Sequence, residues 1–594
     1  MKQLNFILLL FITIQLQSQV IPSQNRVDWS TAGSQFSFPE PKLKINIMNF
    51  GAHADGLTDD ATAVNNAIAS LNGNYGLIFF PAGKYLLQSG ISLPDSVIIR
   101  GAGSDSTFIK FDHITSGFSI YGQAAGVFTP VITGFTKDSK IITVTNASLF
   151  SKGDYVELRE ENGSWDTNPA TWATYSVGQI TKVDSVFGNT LFFEDKLRIT
   201  FDTALHLEIR KIVPKKNVSI ECLNVERINT STASTGYNFD FNYAADCRVK
   251  GVESNKSHGS HCMINLSTHI EVSGSYFHDA YMYDGTGTKG YGVTLNCHAG
   301  LCLITNNIFK HLRHAMMTKH GANGNVFSYN YSIDPFRNGS GEFPADLCGD
   351  ISAHGHYSFA NLFEGNIVQT IYIDNAWGPS GPYNTFFRNR THLYGIIMTT
   401  TLTDYQNFVG NEIIGTGFYG NYTLTGLSNF EHGNNKNGTI TPTGTTTLSD
   451  ASYYLSKKPY FWTIADSWPS VGIGNTINTG SNPAKTRYVG GKFTDCSSDI
   501  HTNIEEISKN IFSVYPNPVD QSSAITIEFE STETLVRIEL FDINGKVIKS
   551  ENVPISANQK NKINYSLPKN IINGIYLLKV NTSKQSVVKR LVKM

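Results

Sequence analysis

Long apolar runs are nearly missing from this chain of 594 residues. The longest, FILLLFITIQL at 6–16, is too short to span a bilayer, and no later stretch reaches the ~18 apolar residues a spanning helix needs. It follows Lys2 and precedes Gln17, Ser18 and Gln19, the layout of a cleavable signal peptide over 1–19. The reading is an exported protein with no transmembrane helix. Charge is scarce too, at 16% of residues, and Lys plus Arg (47) nearly balance Asp plus Glu (49). Without a basic excess, no nucleic-acid partner is expected. Cysteine is sparse and odd in number: Cys222, Cys247, Cys262, Cys297, Cys302, Cys348 and Cys496. No C-x-x-C zinc pattern occurs, and the scatter excludes a disulfide framework, leaving buried small side chains with one or two bridges among them.

What is abundant is glycine (51) and aromatic residues (12%), a composition that suits strands and turns. The first ordered signal lies at 45–110. Asp59 and Asp60 precede Val64, Ala67, Ile68 and Leu71, which marks an N-capped amphipathic helix with one apolar face. Strand-like runs follow at 77–80, 85–87 and 97–99. A short helix over the end of a strand stack blocks edge-to-edge association.

The stretch carries Asn49-Phe50-Gly51-Ala52, Asp55-Gly56, Thr58-Asp59-Asp60, Phe80-Pro81-Ala82-Gly83-Lys84-Tyr85 and Arg100-Gly101-Ala102-Gly103. These residues resemble the N-terminal domain of the pectate-lyase superfamily over about sixty residues. The resemblance implies a right-handed parallel β-helix; it names no reaction, because lyases, hydrolases and phage tailspikes share the cap.

The repeat is visible by subtraction. Asn307, Asn330, Asn366, Asn389 and Asn411 each follow an alternating apolar strand, at separations of 23, 36, 23 and 22 residues. A period in the low twenties is one β-helix coil, and the longer step is a coil with a long loop. Parallel coils stack ~4.8 Å apart, so like amides fall over one another and can bond along the ladder.

The resulting all-β organisation runs as a cap and first coils at 40–124, a small β insertion at 125–205, central coils at 206–428, and an aromatic segment at 429–505 wrapping the last coil. A β-sandwich at 510–594 completes it. In the insertion, Trp165 and Trp172 could grip carbohydrate or be structural. The final module opens with Val514-Tyr515-Pro516-Asn517-Pro518 and closes with Lys589-Arg590-Leu591-Val592-Lys593-Met594. It resembles the type A sorting domain of the type IX secretion system. That resemblance implies a partner in the type IX machinery and a final location outside the cell or on its surface.

Counting three and four residues past each ladder position gives an ionisable column: His278 and Asp279, Lys310 and His311, Asp334, then His392. Near it cluster Arg313, His314, Lys319 and His320, and a long loop adds Arg337, Glu342, Asp346 and Asp350, with His354 and His356 beyond. Tyr281, Tyr283, Tyr357, Tyr372 and Trp377 could stack on sugar rings. Taken singly, each residue suits an ordinary surface or half-buried place; the clustering marks one groove for an extracellular polysaccharide.

β-Elimination needs a cation against a uronate carboxylate and a base for the C5 proton. Arg313 or Lys319 is the expected neutraliser and His311 or His314 the expected base. His278, Asp279, Lys310, His320, Asp334, Arg337, Tyr283 and Trp377 are the expected substrate contacts. Hydrolysis is the alternative and needs two flanking carboxyls, with Asp279, Asp334, Glu342, Asp346 and Asp374 available. A surface glycan-binding protein without catalysis is the third reading. The metal requirement stays open: superfamily lyases often use calcium, and Glu342, Asp346 and Asp350 come from one loop, but without the spacing of a calcium loop.

Overall fold

The computed structural model describes residues 19–593 apart from 339–346, 446–447, 473–476, 478, 497–511, 520–523, 532–533, 543–545, 558 and 582–585. The expected signal peptide therefore lies almost wholly outside the described residues. So do Glu342 and Asp346. The chain divides into two compact units, Met1–Ser498 and Asp499–Met594.

The first unit is a right-handed parallel β-helix. Each coil contributes three short strands. The first joins a 12-stranded parallel sheet from Leu43–Asn46 to Phe430–His432; the second and third build the two remaining faces. Inward side chains fill the axis. Phe327, Phe363, Phe386 and Phe408 are fully buried and stack coil on coil, with ring centroids 5.1, 5.0 and 5.1 Å apart. Each buried ring of this kind contributes roughly 1.5–3 kcal/mol.

Helix α1, Ala61–Ser70, covers the N-terminal end with Ala61, Ala63, Val64, Ala67 and Ile68 buried. Asp60 stands at the N-cap position without a side-chain cap bond, and Asp59 before it accepts from the first helical amide, Ala61, at 3.0 Å. Asp60 instead accepts from the amides of His53 (2.7 Å) and Ala54 (3.3 Å), and so fastens the preceding turn.

The expected amide ladder is present. Asn307 Nδ2 donates to Asn330 Oδ1 at 3.1 Å, Asn330 to Asn366 at 2.9 Å, Asn366 to Asn389 at 2.9 Å and Asn389 to Asn411 at 3.1 Å. Asn434 extends it by one step at 2.9 Å. Every one of these side chains is buried at a bend, where it satisfies the backbone of the preceding coil, as Asn330 does for the Asn307 amide and the Ile304 carbonyl. A second ladder, not anticipated, runs through Asn325, Asn361, Asn384 and Gln406 at 2.9, 2.9 and 3.0 Å.

Six antiparallel strands between Gln123 and Val213 close into a barrel inserted in the stack. Its strands extend beyond the 125–205 bounds read from the sequence. It docks on the coils through Arg198 Nη1 to Asn323 Oδ1 (2.6 Å) and a His298–Glu157 contact (3.1 Å).

The segment after the last coil does more than wrap that coil. A hairpin, Asn434–Lys436 with Thr439–Thr441, ends the stack in antiparallel fashion. The chain then descends along the flank: Tyr453 stacks on Phe387, Asn482 Nδ2 donates to Asn330 O, Arg487 to Asn306, and the Asp495 amide to Gly274 O. Within it lies helix α2, Pro483–Val489, capped by Asn482. A Cys222–Cys496 disulfide fixes the lower end of the strap. The other five cysteines are not in disulfides.

The second unit packs a three-stranded against a four-stranded antiparallel sheet around one core that includes Ile525, Ile527, Ile538, Leu540 and Leu578.

Candidate active site

The third strands of successive coils decide where chemistry can occur. Their registered positions run Leu295, Thr318, Ala353, Ile373 and Met398. Leu295, Ala353, Ile373 and Met398 point into the core. The next residue on each coil must therefore face outward. Those residues are Asn296, Lys319, His354, Asp374 and Thr399. The backbone ladder continues through them: the amides of Lys319, His354, Asp374 and Thr399 donate to Leu295, Thr318, Ala353 and Ile373 at 3.1, 2.9, 3.1 and 3.1 Å.

All five line one cleft of about 720 Å³, beside Arg313, His314, Arg337, Tyr291, Tyr372, Trp172 and Trp377. Trp172 comes from the barrel. It meets Trp377 edge to face at 5.3 Å, so the insertion forms one aromatic wall of the cleft. Trp165 instead packs on Tyr357 in the barrel core.

The electrostatics are one-sided. Arg313 donates to Gly287 O at 3.0 Å and to the Tyr291 hydroxyl, and its Nη1 has no partner. Among the described residues no carboxylate pairs with Arg313, Lys319 or Arg337. Burial, reinforced by Arg313, brings the Lys319 ammonium down to about 8. His354 Nδ1 lies 2.7 Å from Asp374 Oδ2, and the other Asp374 oxygen accepts from the Ala376 amide at 3.0 Å. The carboxylate fixes the tautomer that leaves the Nε2 lone pair in the cleft. His314 Nδ1 donates to Gly349 O at 2.9 Å, which again leaves Nε2 as the acceptor. Burial and then Arg313 and His354 hold His314 neutral.

Of the expected catalytic and substrate-contact residues the cleft gathers Arg313, His314, Lys319, Arg337 and Trp377, and it adds Trp172, Tyr372, Asp374 and His354, which the sequence offered in other roles. It does not include His278, Asp279, Lys310, His311, His320, Asp334 or Tyr283. His278, Lys310 and Ile333 do stack in register, but on the second face. There His278 bonds Asp279 at 2.8 Å and Glu253 at 3.2 Å. His311 bonds Asp334 at 2.9 Å and stacks on Phe336 at 4.6 Å. That engagement removes His311 from the place a base must occupy. Tyr283 is buried, its hydroxyl accepting from the Ala280 amide at 2.6 Å. His320 is buried between Trp172, His298 and His356. Asp350 accepts from Ser332 and the amides of Gln369 and Thr370, and burial raises it to about 6; it lines no part of the cleft. His354 was expected near the groove but in no catalytic or binding role, and Tyr291 was not expected at all.

Residues 44–190 match the family model described as rhamnogalacturonase A/epimerase, pectate lyase-like. Residues 513–594 match the secretion system C-terminal sorting domain. The chain thus carries a pectate-lyase-like β-helix and a type IX sorting domain, the mark of a secreted or surface-attached protein. The pre-neck appendage protein of Bacillus phage B103 is 25% identical over 297 residues, 49% of this chain and 28% of that protein. Mannuronan C5-epimerase AlgE5 of Azotobacter vinelandii is 33% identical over 100 residues, 14% of this chain and 10% of that protein. Among solved structures, the tailspike protein gp49 from Pseudomonas phage LKA1 is 16% identical with a TM-score of 0.44, covering 66% of this chain and 72% of that one. The chain spans less than a third of the length of these curated relatives. Among the described residues, no helix is long and apolar enough to cross a membrane.

Proposed function

We propose that the cleft binds an anionic, uronate-containing extracellular polysaccharide and cleaves it by β-elimination. The observation that carries this reading is a set of cations with no carboxylate partner among the described residues, around a carboxylate-held imidazole. Arg313 and Arg337 take the sugar carboxylate and so acidify the adjacent C5–H. His354 Nε2 removes that proton, C4=C5 forms, and the C4–O4 bond breaks with its electron pair going to O4. Lys319, one coil away and about 4.8 Å along the row, is an ammonium below pH 8 and protonates the departing oxygen. His314 accepts a sugar hydroxyl. The similarity to a mannuronan C5-epimerase agrees with abstraction of a C5 proton as the first step.

Hydrolysis has less support. It needs two carboxyls about 5–9.5 Å apart, and among the described residues the cleft offers Asp374 alone, already engaged by His354. The test is incubation of the pure full-length protein with alginate, pectin, ulvan and chondroitin sulfate. Ultraviolet absorbance from unsaturated uronate ends is expected. New reducing ends without that absorbance, or binding without turnover, would reject the reading, and C5 inversion without chain cleavage would replace the lyase by an epimerase.

A further inference from the structure

The outward row that reaches Lys319 also runs the other way. Tyr121, Asn242, Asn265 and Asn296 stand in successive register on the third face, and Leu295 paired with Thr318 carries the line on to Lys319. Their preceding neighbours, Ile120, Phe241, Ile264 and Leu295, are all fully buried, so strand alternation turns the row to solvent.

Its amides are joined. Asn296 Nδ2 donates to Asn265 Oδ1 at 2.8 Å, and Asn265 Nδ2 donates to Asn242 Oδ1 at 2.9 Å. These links differ from the two buried ladders at the bends, because the three side chains here are only half-buried. A carboxamide has two N–H groups and two acceptor sites, so each amide keeps hydrogen-bonding capacity after its links. Tyr121 is 44% exposed and its hydroxyl is tied to Asp240, which presents the ring while holding it still.

We propose that this uncharged row is a second binding segment, a track for the hydroxyl groups of consecutive sugar residues on one side of the scissile bond, with Tyr121 as a stacking platform at its far end. The inference rests on the reading of the cleft as a polysaccharide-cleaving site. From Tyr121 to Lys319 is four coil steps, about 19 Å. On the other side of His354 the cleft row holds, among the described residues, Asp374 and Thr399. The track therefore makes the grip lopsided, with the longer arm of the glycan over the N-terminal coils, and gives long chains an advantage over short ones. Amides contact hydroxyls without net charge, so this part of the affinity persists in salt that screens the cleft cations.

The experiment is affinity electrophoresis of the full-length protein through native gels containing alginate, pectin, ulvan or chondroitin sulfate, at low and high salt. Wild type is compared with Asn265→Leu and Tyr121→Ala, each checked for an unchanged melting temperature. For the polymer that retards wild type, each variant is expected to bind roughly five- to tenfold more weakly, the loss of one or two net hydrogen bonds or a ring contact, at both salt levels. Wild-type retention in both variants overturns the track and leaves the cleft reading standing. A wild-type protein that no polymer retards also overturns it; whether that protein still cleaves any polymer decides the cleft reading separately.

Discussion

At the scale of single residues, the account turns on two neighbours in one outward row. Lys319 is protonated below its lowered value of about 8 and neutral above it. As the proton donor to the leaving oxygen it must be charged, so kcat is expected to fall as pH rises through about 8. Were it a base, kcat would rise there instead. A pH–rate profile with Lys319→Met as control reads the sign directly. Asp374→Asn removes the charge that orients His354, and is expected to lower kcat on the order of 10²-fold or more with little change in KM. Steady-state kinetics on the cleaved polymer measure it. Part of this centre was legible: the basic cluster singled out Arg313, His314 and Lys319. His354 stood only at the far edge of the cluster, beside His356, and Asp374 only among the carboxyls available for hydrolysis. The reason is geometric. Counting from the ladder asparagines lands on the second face, where His311 and Asp334 satisfy each other. The cleft stands on the next strand, after a bend of variable length. Lys319, His354 and Asp374 fall twelve, twenty-four and eight residues beyond Asn307, Asn330 and Asn366. No constant offset finds them; the signal that does is a polar residue ending each short apolar strand, as in MMTK, ISAH and IYID.

At the scale of elements, the bends rather than the strands carry the specificity of the stack. Asn366 Oδ1 accepts from both the Asn330 amide (3.0 Å) and Asn330 Nδ2 (2.9 Å), while its own Nδ2 donates to Asn389 and to Phe327 O. Asn366→Leu strands several buried polar groups at once. A loss of about 2–4 kcal/mol is expected, read as a lower denaturant midpoint, while the surface change Asn375→Ala is expected to stay within about 0.5 kcal/mol. The sequence period disclosed this ladder because its members recur beside strong apolar strands. The second ladder sits five residues earlier on each coil, at Asn325, Asn361, Asn384 and Gln406. Its substitution of Gln for Asn at the last step, and the glycines and alanines before it, mask the repeat.

At the scale of the molecule, the barrel is both a wall of the cleft and a titratable dock. His320 and His356 are buried where the barrel meets the coils, and Trp172 covers both rings at 5.4 and 5.0 Å. Burial lowers both below the ordinary histidine value of 6.5. The folded state therefore binds fewer protons than the unfolded chain, and the stability they contribute is present above about pH 6.5 and lost as pH falls below it. Melting temperature is expected to drop over that acidic range, and His320→Gln is expected to flatten the drop. The fold and the export address were readable from the cap and tail motifs, because short local signatures carry them. The docking of the barrel was not, since it joins residues such as Arg198 and Asn323 that share no pattern. The most direct measurement on the whole account compares two single variants on one polymer: His354→Ala and His311→Ala, both with wild-type melting temperatures. The account expects His354→Ala to lose on the order of 10³-fold in kcat and His311→Ala to stay within a fewfold of wild type. The reverse order, or an active His354→Ala, would contradict the placement of the reacting centre on the third face.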